Sequence, residues 1–294
     1  VARSRDIWGP YETYENNPIL TNYQREEKEV ACSGHGDLFE DHNGNWWVVH
    51  LATRPDDAWY SHMGRESFLL PVEWKDEWPV IGDGVSHIEC DGPLWNEQRF
   101  SVNWEADFNS IDVRWLFLRK PLEENYKLKV GHLFLKPSTN KISDTEGSPT
   151  FMAIRQPDIE CQITVEMNFE PAKDLDEAGL TIYLSSQGYY SFSKRKENNK
   201  NYMVIAKNSD SFEPIKTEIP NGKISMRIEA GKRKYDFYYS VDGGECVLAG
   251  SVDVLTVADA GKCFTGSLIG LFAQCSSDTE ADAEICSFCV SEVM

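Results

Sequence analysis

The sequence predicts an all-β protein, and three observations carry that reading. Apolar and polar side chains alternate with period two: Ile163, Val165, Met167 and Phe169 fall on one side, Gln162, Thr164, Glu166 and Asn168 on the other. Ile224, Met226, Ile228 and Ala230 repeat the pattern, as do Tyr235, Phe237, Tyr239 and Val241. Such alternation is the mark of half-buried antiparallel strands. Turn chemistry separates the runs at Asn43-Gly44, Pro220-Asn221-Gly222 and Asp242-Gly243-Gly244. No segment sustains a 3.6-residue apolar stripe over three turns, so helices are not expected.

Two regions differ in texture. Residues 1–90 hold six of the nine tryptophans, with Trp46-Trp47-Val48-Val49-His50-Leu51 the most buried-looking strand. A propeller needs about four to eight blades of about four strands each, and this region has room for about five or six strands. It therefore amounts to one blade and a little more of something whose remainder lies upstream. From about residue 95 short strands recur at roughly 10–15-residue spacing, as in a sandwich of two antiparallel sheets. The Gly-, Asp- and Pro-rich stretch from Ile81-Gly82-Asp83-Gly84 to Asp91-Gly92-Pro93 suits a linker, which sets the domains at 1–88 and 89–294. Lys194 to Asn201 is expected as a polar hairpin tip with its basic residues solvated. Tyr189 and Tyr190, neighbours on one strand, place one ring outward at most, and core packing is the simpler expectation.

The 294 residues can bury two cores. Net charge is −19, and residues 1–90 carry 7 basic and 17 acidic side chains against 22 and 31 in the remainder. Neither part is basic, which argues against nucleic acid or an anionic membrane as partner. No apolar run reaches the ~18–20 residues of a membrane span. The opening Val-Ala-Arg-Ser-Arg has no apolar stretch after it, so no signal peptide is expected. Lacking an initiator Met, the N-terminus reads as one made by cleavage or by a cloning boundary. A soluble protein is expected, secreted or cytoplasmic, and no N-x-Ser/Thr sequon points to secretion. The eight cysteines form no disulfide framework. Cys286 and Cys289 would face opposite sides of a regular strand, a poor arrangement for a metal or redox pair.

Several motifs carry a family resemblance. Cys32-Ser33-Gly34-His35-Gly36-Asp37-Leu38-Phe39-Glu40-Asp41, with Asn43-Gly44-Asn45-Trp46-Trp47 after it, is similar to the fifth blade of glycoside hydrolase family 43. Met63-Gly64-Arg65-Glu66-Ser67-Phe68, Pro71-Val72-Glu73-Trp74 and Trp78-Pro79 continue that blade. Ala2-Arg3-Ser4-Arg5 and Ile7-Trp8-Gly9-Pro10-Tyr11-Glu12 resemble the strand and loop leading from the fourth. Arg114-Trp115-Leu116-Phe117-Leu118-Arg119, Gly147-Ser148-Pro149-Thr150-Phe151, Arg155-Gln156, Glu177-Ala178-Gly179-Leu180 and Phe264-Thr265-Gly266 resemble the concanavalin-like C-terminal domain of its β-xylosidase and α-L-arabinofuranosidase members. The resemblance implies the closing portion of a five-bladed β-propeller followed by a concanavalin A-like β-sandwich.

It also implies a chemistry: hydrolysis with inversion, removing terminal β-1,4-linked xylose or α-L-arabinofuranose from xylo-oligosaccharides or arabinoxylan. One carboxylic acid protonates the leaving oxygen while a carboxylate ~6.5–9.5 Å away activates water on the opposite face. By the resemblance these groups, and a third tuning carboxylate, precede Val1, in a missing N-terminal propeller portion. No catalytic residue is expected in this chain, which alone should be inactive. Asp37 is expected to fix the Gly-rich turn, and Glu40-Asp41 to precede a hairpin.

Three residues inherit roles. His35 matches a histidine that projects into the propeller axis and helps hold a hydrated divalent ion, taken as Ca²⁺, although calcium prefers oxygen ligands. Arg65 matches an arginine that reaches the terminal sugar, for which a guanidinium fork suits neighbouring hydroxyls; a surface pairing with Glu66 is the alternative. Phe264 matches a loop residue that walls the sugar pocket; a core position in the strand running to Leu271 is the alternative. His42 stands where the pattern usually has Pro, and His62-Met63 where it commonly has Leu or Pro-Leu. The competing reading of the chain is a non-catalytic carbohydrate-binding or structural β-sandwich, for which a blade bearing His35 and Arg65 has no use.

Overall fold

The alternating runs become strands in the computed structural model, which describes the chain apart from residues 24–28, 56–60, 94–100, 210, 255–263 and 294. Two compact units result, Val1–Arg99 and Phe100–Met294.

In the first unit β1 (Ala2–Arg3) pairs with β2 (Glu12–Thr13) as a short ribbon, and β3 (Ala31–Glu40), β4 (Trp46–Thr53), β5 (Glu66–Lys75) and β6 (Trp78–Val80) form a four-stranded antiparallel meander in chain order. The β3–β4 turn is organised by Asp41. Its carboxylate accepts the Asn43 and Asn45 amides at 2.8 and 3.0 Å and the Trp47 indole N–H at 3.0 Å. The Asn45 side-chain amide is its largest single partner, and these donors together hold the carboxyl well below the usual carboxylate range. One face of the sheet packs Val48, Leu70, Val72 and Ile81 together, with Ile19 and Leu20 over them. The stretch expected as linker is partly built into this unit. Ile81 and Ser86 are buried, and the Gly84 carbonyl accepts the Thr21 amide at 2.8 Å. The division between the units falls later, at Arg99/Phe100.

The second unit holds two antiparallel sheets. Its strands are β7 (Trp104–Glu105), β8 (Tyr126–Lys129), β9 (His132–Leu135), β10 (Thr150–Arg155), β11 (Cys161–Asn168), β12 (Glu177–Ser185), β13 (Gly188–Glu197), β14 (Lys200–Lys207), β15 (Ile215–Ile219), β16 (Ile224–Ala230), β17 (Lys234–Val241), β18 (Val247–Asp253), β19 (Leu268–Gln274) and β20 (Ala283–Ser291). The six-stranded sheet runs β10-β19-β12-β13-β14-β15; the eight-stranded one runs β18-β17-β16-β11-β20-β9-β8, with β7 also on β20. The alternation read from sequence is the core: Ile163, Val165, Met167, Ile224, Met226, Ile228 and Phe237 are fully buried and meet Leu180, Phe192 and Leu271 of the other sheet. Phe192 and Phe237 touch across the two layers, ring centroids 5.2 Å apart.

Turn residues direct the crossing from one sheet to the other. Gly222, between β15 and β16, has φ 146°, and a Cβ there would lie 2.4 Å from Asp242 Oδ2. Asp242 Oδ1 accepts the Lys223 amide at 2.8 Å, locking the same turn. The β13–β14 hairpin turns at Asn198 and Asn199, both at positive φ, as a two-residue primed turn requires.

Three expectations are corrected. Lys194 is not solvated: its side chain is fully buried and its ammonium donates to Glu170 at 2.8 Å and to the Gly222 carbonyl. It lies within β13, where the side chain shares the core-facing side with Phe192. Arg195 is likewise engaged, by Glu177 at 2.9 Å. Asp37 fixes no turn, because it sits inside β3 opposite Val49. Cys286 and Cys289 both face outward and are partly exposed, since β20 carries a bulge between them.

Replacing Phe237 with Ala should cost ~3–5 kcal/mol, the transfer loss plus the cavity left between the two sheets. Urea unfolding checks this: the midpoint falls with little change in slope, whereas a loss under ~1 kcal/mol would mean the layers do not pack there.

Candidate functional site

Candidate residues concentrate at one end of the four-stranded sheet. β3 pairs with β4 through Ala31↔Thr53, Gly34↔Leu51 and Asp37↔Val49, so three residues twice oppose two. Each extra residue is a β-bulge, and the two non-glycine residues at positive φ in this stretch are Cys32 (54°) and His35 (53°). Left-handed geometry is uncommon for a side chain with a Cβ, though histidine tolerates it better than most. The sequence Ser-Gly-His-Gly fits this path. Gly36 lies where a Cβ would come 3.0 Å from Val48 Cγ2 and 3.3 Å from His50 Cβ, so a side chain there would press on β4. The bulged strand is the sheet's edge, and His35 is exposed on it.

Behind the bulge a polar network runs from half-buried Ser33 and Asn22 to buried Ser86 and His50. The Asn22 amide donates to Ser33 Oγ at 3.0 Å. Asn22 and Ser86 bond reciprocally, Nδ2 to the Ser86 carbonyl at 2.9 Å and the Ser86 amide to Oδ1 at 3.1 Å. Ser86 Oγ stands 3.3 Å from His50 Nε2, and His50 Nδ1 stands 3.2 Å from the Leu51 carbonyl. A carbonyl only accepts, so Nδ1 carries the proton and Nε2 accepts from Ser86. The His50 ring is 1 % exposed and stacks on Phe68. Burial pushes the imidazole below its ordinary pKa, the bond to Leu51 opposing in part, and keeps it neutral. Sequence reading passed over His50, though its place in the Trp46, Val48, Ala52 alternation put it on the inward face.

Arg65 precedes β5 directly, and the registers Gly34↔Leu51 and Leu51↔Ser67 bring the start of β5 to the same end of the sheet as His35. Two strand spacings, about 10 Å, separate β3 from β5. Arg65 is exposed. Glu66, its alternative partner, is held by Arg54 through Nε at 2.9 Å and Nη2 at 2.8 Å. The preceding loop is anchored by buried His62 and Met63, with Gly64 at φ 69° bonding back to the Ser61 carbonyl at 3.2 Å.

Phe264 belongs to the second unit. It is 64 % exposed and precedes β19, which starts only at Leu268, so it is not a core residue of that strand. Gly266 bends the chain with φ 73°, the Arg155 guanidinium donates to the Thr265 carbonyl, and Gln156 holds Ser267 by its carbonyl at 2.9 Å. Cys263, beside it in the motif, lies outside the described residues. Tyr189 and Tyr190 are both buried and offer no sugar platform.

A metal at His35 would draw one nitrogen from this unit. Among the described residues His35 belongs to no trio of His, Cys, Asp or Glu ligand atoms, so the exposed ring fits one position of a hydrated ion whose other ligands come from water or from polypeptide outside this chain. Among the described residues no helix is long and apolar enough to cross a membrane.

A family model described as beta xylosidase C-terminal concanavalin A-like domain matches residues 105–291, and one described as glycosyl hydrolases family 43 matches residues 1–79. A non-reducing end alpha-L-arabinofuranosidase of Bacteroides ovatus is 31 % identical over 287 residues, covering 93 % of this chain and 53 % of its own length. A xylosidase/arabinosidase of Butyrivibrio fibrisolvens is 29 % identical, covering 100 % of this chain and 59 % of its own. The solved structure of the Bacteroides ovatus xyloglucan PUL GH43B protein superposes with a TM-score of 0.88 at 28 % identity, over 99 % of this chain and 60 % of that one. The chain thus spans little more than half the length of these relatives.

His50 sets a pH dependence. In the unfolded chain its ring gains a proton below about 6.5, but in the folded chain only at lower pH. The unfolded state therefore binds more protons in that interval, and stability present above about pH 6.5 is lost as pH falls toward the folded-state value. Between about pH 7 and 5 the urea midpoint should fall more steeply in the wild type than in His50→Gln. Equal slopes would place the titration elsewhere.

Proposed function

The chain belongs to family 43 of the glycosyl hydrolases, and from that premise we propose that it is the C-terminal part of an exo-acting glycosidase. The whole enzyme releases terminal β-1,4-linked xylose, or α-L-arabinofuranose, from xylo-oligosaccharides or arabinoxylan with inversion. The acid and base carboxylates lie in the N-terminal portion that would complete the propeller, and this chain supplies substrate contacts.

The observation that carries the reading is an apolar face left uncovered on the four-stranded sheet. Val49 and Leu69 are cross-strand partners on that face, Phe39 lies diagonally beside Val49 on β3, and the three are 37, 39 and 41 % exposed. The opposite face is packed by the unit's own core. Adjacent exposed apolar side chains in a row mark a surface built to be covered. Together with a chain that spans 53 to 60 % of its relatives, this supports a terminal blade lacking its neighbours. The protruding loop with Ile7 80 % and Trp8 91 % exposed is a second such surface.

Within the complete enzyme Arg65 binds the terminal sugar. Its permanent charge and fork of donors fix adjacent hydroxyls and favour ionisation of a nearby carboxyl group. His35 contributes a ring nitrogen toward a hydrated divalent ion, taken as Ca²⁺, which when bound supplies fixed positive charge on the axis. Phe264 excludes water from the sugar. The names of the two relatives, an arabinofuranosidase and a xylosidase/arabinosidase, support the substrate class.

This chain alone should not turn over aryl β-xyloside or aryl α-L-arabinofuranoside, and adding the separately produced N-terminal portion of about 200–250 residues, sized from the missing blades, should restore hydrolysis. Turnover by the isolated chain at ordinary enzymatic rates, ~1–10³ s⁻¹, would overturn the placement of the carboxylates. In the complete enzyme Arg65→Ala should lower kcat/KM by at least ~10-fold, the worth of a lost charge-assisted contact of roughly 1.5–3 kcal/mol. A change under about threefold, with Tm unchanged, would return Arg65 to the surface.

A further inference from the structure

A separate group of ligating side chains lies on the outer face of the eight-stranded sheet, apart from the residues assigned above. β11 and β20 pair with one slip: Glu166 faces Ser287, while Met167 faces Ile285. Cys286 is the extra residue. In a regular strand Ile285 and Phe288, three positions apart, would face opposite sides, yet both are fully buried. The bulge reconciles them by turning Cys286 and Ser287 outward together. Glu284 already faces outward on the same strand. His132 comes from β9, which pairs with the same stretch through Leu133↔Ile285 and Phe134↔Glu284.

The three side chains converge. His132 Nδ1 is 2.8 Å from Glu284 Oε1, and one ligand atom from each of His132, Glu284 and Cys286 lies within 4.8 Å of the others. Among the described residues it is the one such trio, and all three are half-buried. Asn168 Nδ2 donates to Glu284 Oε2 at 3.2 Å and orients the carboxylate from behind, as outer-shell partners of metal ligands do. The neighbouring cation, Lys223, is paired with Glu166 at 2.8 Å.

An imidazole nitrogen, a thiolate sulfur and a carboxylate oxygen make a mixed donor set that suits zinc and not Ca²⁺ or Mg²⁺, which take oxygen. Three protein ligands leave a fourth tetrahedral position to water. Zinc bonds of ~2.0–2.3 Å place donors ~3.3–3.8 Å apart, which small side-chain rotations reach from the present spacing. We propose that His132, Glu284 and Cys286 form a three-ligand zinc site that clips the β8–β9 hairpin to β20. On coordination the Cys286 thiol loses its proton to solvent and the ion takes the place of the His132–Glu284 hydrogen bond.

The test uses the 294-residue chain, stripped of metal by a chelator. Cobalt(II), replacing zinc as a spectroscopic probe, should give a thiolate-to-metal charge-transfer band, and calorimetry should show one zinc bound per chain. Cys286→Ser should abolish the band, and both Cys286→Ser and His132→Gln should weaken zinc binding by at least about tenfold. Cys246→Ser, at an exposed cysteine outside the cluster, should change neither. Zinc should also raise the Tm of the wild type and not that of Cys286→Ser. Absence of the band in the wild type, its persistence in Cys286→Ser, or unchanged zinc affinity in His132→Gln would each overturn the site. Should Cys286→Ser fail to fold, as its metal-free melting would reveal, His132→Gln alone decides.

Discussion

An apolar sheet face has to be covered, and that constraint organises both units of this protein. Backbone groups are satisfied by neighbouring strands, but the side chains on each face must find something else to exclude water. In the second unit each sheet is the other's cover, and the Phe192–Phe237 contact marks where the layers meet. The first unit has a single four-stranded sheet with apolar residues on both sides. Its own chain covers one side through Ile19, Leu20 and Ile81. Phe39, Val49 and Leu69 keep substantial exposure on the other.

Bulges decide where chemistry-bearing side chains stand. A regular strand allows a side chain two directions only, and a single extra residue resets the alternation beyond it. In β3 two successive bulges place His35 at an exposed edge, while the closeness of Gly36 to Val48 and His50 keeps the bulged strand tight on β4. In β20 Glu284 and Cys286, two residues apart, share the outward side with His132, and the bulge turns Ser287 and Cys289 to that side as well. The same backbone device thus shapes the strands that carry both proposed sites.

The support behind each site is polar, and behind the β3 bulges it reaches the buried Ser86 and His50. Ser33, Asn22, Ser86 and His50 form a chain of hydrogen bonds beneath the β3 bulges, and Asn168 backs Glu284. A buried polar group is costly unless bonded, so a fully bonded network ties a loop to one position more firmly than apolar packing of the same size. Lys194 follows the same rule at the edge of the sandwich core, where Glu170 and the Gly222 carbonyl meet its charge.

Much of this was legible in the order of residues. Period-two alternation at Ile163–Phe169 and Ile224–Ala230 identified core faces correctly, because burial on one side of a pleat leaves a local imprint. Asn43-Gly44 and Asp242-Gly243 announced their turns for an equally local reason, the positive φ that few residues accept. Motifs around His35, Arg65 and Phe264 carried the family. What the order of residues left open depended on partners far along the chain. His50 is buried because Ser86 and Phe68 close over it, Lys194 because Glu170 lies within reach, and Cys289 shares the outward side with Cys286 because β11 slips by one residue against β20. A strand's own sequence sets the alternation of its side chains. Only its pairing with other strands decides where that alternation breaks, and so which residues meet.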